Sequence, residues 1–157
     1  IMTVIACIMW AINYNGKNFW FDEVETIRIA TEEVPKITFF YTGWVYPHPP
    51  LFYLILLGWI QLFGSTPFAV RFLPYIFAIC AVIVLFQLVK KYLSERAAIL
   101  ACSFMILNFM VTRYAQECRP YSLDLFLFLL LTYNFLGNLK DPTIKRSLFK
   151  QRRQSKS

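Results

Sequence analysis

Residues 72–89, "FLPYIFAICAVIVLFQLV", run eighteen positions without a charge. A bilayer hydrocarbon core needs about 20 apolar helical residues, so a run of this length reads as a membrane span. Four more apolar segments flank it, at 1–12, 51–64, 97–112 and 121–139. Hydrophobic residues make up 58% of the 157 and mean hydropathy is +0.51, more apolar surface than a soluble domain of this size can bury. The expected fold class is all-α: a polytopic membrane protein of about four transmembrane helices, with juxtamembrane helices in the first outer loop. A lipid bilayer is the first implied partner.

The net charge of +7 would point to nucleic acid if it were spread over a soluble surface. Instead, residues 140–157 hold seven basic side chains and one acidic one. A basic tail beside a span marks the cytoplasmic side and meets anionic lipid, so no nucleic-acid partner is expected. The tail is polar enough to be expected disordered. Cys7, Cys80, Cys102 and Cys118 show no paired spacing, which argues against a disulfide framework or a zinc site. The chain opens inside an apolar run, which reads as a fragment or a missing start rather than a signal peptide.

The segment at 51–64 is short for a span, and charge placement bears on its orientation. If it crossed, Lys90, Lys91 and Arg96 would lie opposite the basic tail. If it lies along the surface, they share the tail's side, as the positive-inside tendency favours. The topology then runs from a first helix outward to an outer loop over about 13–70. Spans follow at about 70–89 inward, 96–114 outward and 121–139 inward. On this scheme Asp22, Glu23, Glu25, His48, Glu117 and Arg119 share the outer side.

That outer loop carries the candidate chemistry. Residues 21–34 favour a short helix, with Val24, Ile27 and Ile29 on an apolar face and Pro35 at its end. Asp22 and Glu23 have two readings: acids at the positive end of a helix dipole, or a base or ligand at the membrane face. His48, set between prolines, suits a structural or substrate-orienting role better than metal ligation, because its only prospective partners are carboxylates. Glu117 and Arg119 are either an interfacial ion pair or part of an acidic, phosphate-gripping site with Arg71 or Arg113. Asp124 reads as a helix-start carboxylate. No P-loop, dinucleotide fingerprint, nucleophile elbow or zinc-helix motif is present.

The stretches "FDEV" at 21–24, "HPPLFYLILLGWIQLFG" at 48–64, "FAVRFLPYIFAI" at 68–79 and "RYAQECRPYSL" at 113–123 form an ordered set. Together they resemble the protein O-mannosyltransferases and related lipid-linked-sugar transferases, the aminoarabinose transferases among them. The resemblance implies a glycosyltransferase of the GT-C structural class, with residues 1–139 as its N-terminal transmembrane module and 140–157 as a cytoplasmic tail. It implies a polyprenyl-phosphate-linked sugar donor, a protein, lipid or glycan acceptor on the outer face, and displacement with inversion. Catalytic roles fall to Asp22, Glu23 and Glu117. Substrate-binding roles fall to His48, Arg71, Gln116, Arg119 and Tyr121. No cofactor is demanded; the resemblance leaves a divalent metal open, and the sequence supplies no ligand set for one. Relatives carry many more spans after this region, so the chain is expected to be truncated and inactive alone. The competing reading is a small non-enzymatic polytopic protein, a transporter subunit or assembly factor. An ion-conducting fragment is weaker, since Asp124 alone could be an intramembrane carboxylate.

Overall fold

The computed structural model describes residues 1–11, 18–35 and 49–139. The basic tail, His48 and most of the "YPHPP" piece lie outside the described residues. Within them the chain is helical throughout, with no strand.

The organising element is α4, Pro67–Tyr92, following α1 (Met2–Ala11), α2 (Phe21–Arg28) and α3 (Pro50–Phe63). Thr66 starts α4 by accepting the Ala69 N–H at 3.3 Å, and Pro67 occupies the first turn, where its missing N–H costs nothing. Its 26 residues extend about 39 Å, more than a bilayer core. The last helix, α7 (Tyr121–Leu139), reaches about 28 Å over 19 residues. These two helices are long and apolar enough to cross a membrane, and they pack against each other.

The segment expected as one span at 96–114 is broken. Helix α5 (Glu95–Leu107) and helix α6 (Phe109–Ala115) meet at Asn108 with a bend of 68°. Asn108 leaves helical geometry and its side-chain oxygen caps α6, accepting from Met110 N–H at 2.9 Å and Val111 N–H at 3.2 Å. The Ile106 carbonyl freed by the break accepts from the Trp10 indole at 3.3 Å and the Thr112 hydroxyl at 3.2 Å. A backbone group left bare in this apolar setting would cost several kcal/mol, so Trp10 and Thr112 stabilise the break. Counting the bent pair as one, up to three segments among the described residues are long and apolar enough to cross, where about four were expected. The described part of the first segment is the ten-residue α1, too short for the span expected there.

Helix α3 is 14 residues and about 21 Å long, short of a bilayer core, and ends at Gly64 with φ of 83°, a conformation suited to glycine. Phe52, Tyr53 and Leu56 face one core, with Ile29, Ala30 and Val34 from the α2 side, Val70 and Leu73 from α4, Cys118 from the turn after α6 and Leu123 from α7. A second core joins Ala6 and Trp10 of α1 to Ala78, Val82, Cys102, Ile106 and Ala115. Helix α2 continues into a π-helical turn, Ile29–Glu33, which ends before Pro35. All four cysteines are free.

Candidate functional site

The site is assembled where α2, the start of α4 and the 116–120 turn converge. Helix α2 turns about 100° per residue, so its adjacent carboxylates Asp22 and Glu23 point different ways. Glu23 goes inward and is 1% exposed; the Asp22 side chain is 66% exposed.

Glu23 meets Arg71 in two parallel hydrogen bonds, Arg71 Nε to Oε1 at 2.9 Å and Nη2 to Oε2 at 2.7 Å. Each oxygen takes one more donor: Cys118 N–H to Oε1 at 2.9 Å and Trp20 N–H to Oε2 at 3.1 Å. Arg71 Nη2 also donates to the Asn18 carbonyl at 3.1 Å. Burial by itself would raise the Glu23 pKa. The Arg71 hydrogen bonds, the two backbone N–H groups and the Arg71 charge outweigh it and hold the carboxyl below its ordinary value. Each Glu23 oxygen thus accepts two hydrogen bonds, and Arg71 gives Glu23 its Nε and Nη2 donors. One buried ion pair thereby ties α2 to α4 and to the turn that follows α6.

Asp22 sits on this mount with its Oδ2 3.6 Å from Arg119 Nη1. Arg119 is mostly buried at its side chain and donates from Nη2 to the Tyr121 hydroxyl at 3.2 Å. The Tyr121 ring lies against Tyr114, with centroids 4.3 Å apart. Glu117 accepts from Arg113 Nε at 2.8 Å, and the Arg113 guanidinium lies 6.0 Å over the Trp20 ring. The Gln116 amide donates to the Trp10 carbonyl at 2.8 Å, which commits it to α1. Between the two arginines and Glu23, the Cys118 thiol is fully buried. Burial first and the Glu23 charge second push its pKa up, against the opposing pull of Arg71 and Arg119.

Asp22, Arg119 and Tyr121 are thus brought together, with Glu117 one turn away on Arg113. Glu23 and Arg71 stand behind them as a clamp. His48 lies outside the described residues. Sequence reading missed the Cys118 and Trp20 backbone donors, for which no sequence signal exists. It also missed Tyr114, which the aromatic spacing in "RYAQECRPY" could have flagged. Among the described residues no three potential metal-ligating side chains converge.

An exposed carboxylate beside an arginine, mounted on long apolar helices, fits the class of membrane glycosyltransferases. Over residues 47–149 the chain matches the model of the dolichyl-phosphate-mannose-protein mannosyltransferase family, and it belongs to that family. The family is of the GT-C type, and the chain is an integral membrane protein. The matched stretch holds Arg71, Glu117 and Arg119 but stops short of Asp22 and Glu23. No curated protein and no solved structure matches the chain.

Proposed function

We propose that this chain supplies the acid-bearing face of a glycosyltransferase that moves a sugar from a polyprenyl-phosphate donor to an acceptor hydroxyl. The observation that carries this reading is the pairing of Asp22 with Arg119 on the Glu23–Arg71 mount. A sugar phosphate needs a cation for its leaving phosphate, and an acceptor hydroxyl needs a base. Arg119 and Asp22 supply one of each, 3.6 Å apart.

In the proposed step the acceptor hydroxyl gives its proton to Asp22 while its oxygen bonds to the anomeric carbon from the face opposite the phosphate. The anomeric C–O bond to phosphate breaks, and its electron pair leaves on the polyprenyl phosphate. Configuration inverts. Arg119, held by its hydrogen bond to the Tyr121 hydroxyl and its contact with Asp22, takes up the charge on the leaving phosphate. Donor phosphate arriving at Arg119 competes with Asp22 for it and frees the carboxylate for the acceptor. Glu23 and Arg71 act as positioning residues. The site faces the outer side, with Lys90, Lys91 and Arg96 on the cytoplasmic side, as the positive-inside tendency supports.

The test is transfer from a radiolabelled polyprenyl-phosphate sugar in membranes carrying the whole product of the gene. Donor-dependent labelling of an acceptor is expected. Its absence across mannosyl, glucosyl and aminopentosyl donors favours the non-enzymatic membrane-protein reading.

A further inference from the structure

At the end of α4 farthest from the site, a groove of about 310 Å³ opens between three helices. Ile83, Phe86 and Gln87 of α4 form one wall; α1, from Met2, and α5, at Glu95 and Ile99, form the others. Along α4 the rise from Arg71 to Lys90 is about 28 Å. That is close to the thickness of the hydrocarbon core, which puts the groove in the leaflet opposite the Glu23–Arg71 clamp.

Positions 83, 87 and 90 recur at helical spacing and share one face of α4. Lys90 stands at the mouth of the groove: its Nζ pairs with the Glu95 carboxylate at 2.8 Å and lies 5.7 Å over the Phe86 ring. Arg96, exposed and one turn before Ile99 on α5, has no ion pair among the described residues. Two cations against one carboxylate leave the mouth net positive. Gln87 lies about 4.5 Å deeper, inside the apolar run, and its amide makes no hydrogen bond among the described residues. A bare amide in a membrane span is costly, so this position calls for a partner. Below it Ile83, about 10 Å from Lys90 along the helix, and Ile99 offer apolar surface. Positive charge, then an amide, then hydrocarbon complements the order met on entering a phospholipid: phosphate, ester carbonyls, acyl chain.

We propose that this groove binds one acidic glycerophospholipid of the leaflet opposite the site. Its phosphate sits on Arg96 and Lys90, and a glycerol ester carbonyl accepts from the Gln87 amide. One acyl chain lies along Ile83 and Ile99, against α1. Lys91 takes no part, because its ammonium lies 4.4 Å over the Tyr133 ring, toward α7. Glu95 balances Lys90 and leaves Arg96 for the phosphate. A headgroup with its own ammonium reaches Glu95 only by displacing Lys90, and otherwise meets a mouth of its own sign. The bound lipid joins α1 to α4 and α5 at the end of the molecule away from Asp22 and Arg119.

The experiment is native mass spectrometry of the whole gene product, released from detergent with phosphatidylglycerol, phosphatidylcholine or phosphatidylethanolamine of the same acyl chains. One equivalent of phosphatidylglycerol is expected to be retained, with the other two held more weakly. Arg96→Gln is expected to weaken phosphatidylglycerol about fivefold, the scale of one basic side chain facing an anionic lipid, and Lys91→Gln to leave it unchanged. Gln87→Leu is expected to weaken phosphatidylglycerol and phosphatidylcholine alike, because both carry the ester. Arg96 and Gln87 are exposed and bond to nothing among the described residues, so neither change disturbs folding. Equal losses for Arg96→Gln and Lys91→Gln mean diffuse charge attraction and overturn the site. Tighter retention of phosphatidylethanolamine also overturns it and assigns Glu95 to an amine. Failure to retain phosphatidylglycerol above phosphatidylcholine overturns it too, the result if another part of the gene product fills the groove. No readout involves sugar transfer, so the lipid site and the transfer reading fail separately.

Discussion

Glu23 and Arg71 stand 48 positions apart and meet in a buried two-pronged contact, Nε to Oε1 at 2.9 Å and Nη2 to Oε2 at 2.7 Å. Removing one partner of such a pair leaves a bare charge in an apolar setting and costs about 3–5 kcal/mol. Arg71→Met and Glu23→Leu are each expected to lower the unfolding midpoint in detergent sharply. The double variant is expected to recover part of the loss, because two apolar groups leave no orphaned charge. A double variant as damaged as the sum of the singles would contradict the clamp.

The same pair sets an acid sensitivity. The folded Glu23 carboxyl lies below its ordinary value of 4.5, so its contribution to stability is fully present above about that pH. As pH falls through the depressed folded value the carboxyl protonates and the contribution is lost. Thermal melts taken from pH 6 downward are expected to show a loss of stability below about pH 4.5 that Glu23→Gln lacks. Equal pH slopes in the two proteins would remove Glu23 as its source.

Cys118 reports on the packing of this region. Its thiol is buried, and the adjacent Glu23 charge further disfavours the thiolate. Maleimide at pH 8 is therefore expected to leave Cys118 unmodified in the native protein and to label it after unfolding. Rapid native labelling, read by mass spectrometry of the 116–121 peptide, would show the turn to be open.

Asn108 holds the bend in the third segment. Its side chain caps α6 through two backbone N–H groups, so Asn108→Ala is expected to cost about 1 kcal/mol, within the range for lost caps. A stability gain on this substitution would mean that the segment prefers an unbroken helix.

The membrane architecture was largely readable because length and apolarity dictate it: an unbroken apolar run as long as 72–89 satisfies its backbone in lipid as a helix, not as one strand of a barrel. The break at Asn108 was legible in principle, since asparagine is a strong N-cap, but one polar residue in an apolar run is a weak signal. The site was legible only in part. Sequence places Asp22 and Glu23 side by side, and helix pitch requires them to diverge. Which one turns inward depends on where α4 delivers Arg71, a tertiary fact with no local trace. Gln116 shows the same limit, since its amide is committed by a Trp10 carbonyl 106 positions away.

We propose that the adjacent carboxylates divide the labour, Asp22 as base and Glu23 as anchor. The measurement is the rate of sugar transfer from a polyprenyl-phosphate donor by membranes carrying the Asp22→Asn gene product, beside its melting temperature. A loss of about 10²–10⁴-fold in rate with an unchanged melting temperature is expected, the range for removal of a general base. An unchanged rate would contradict the account.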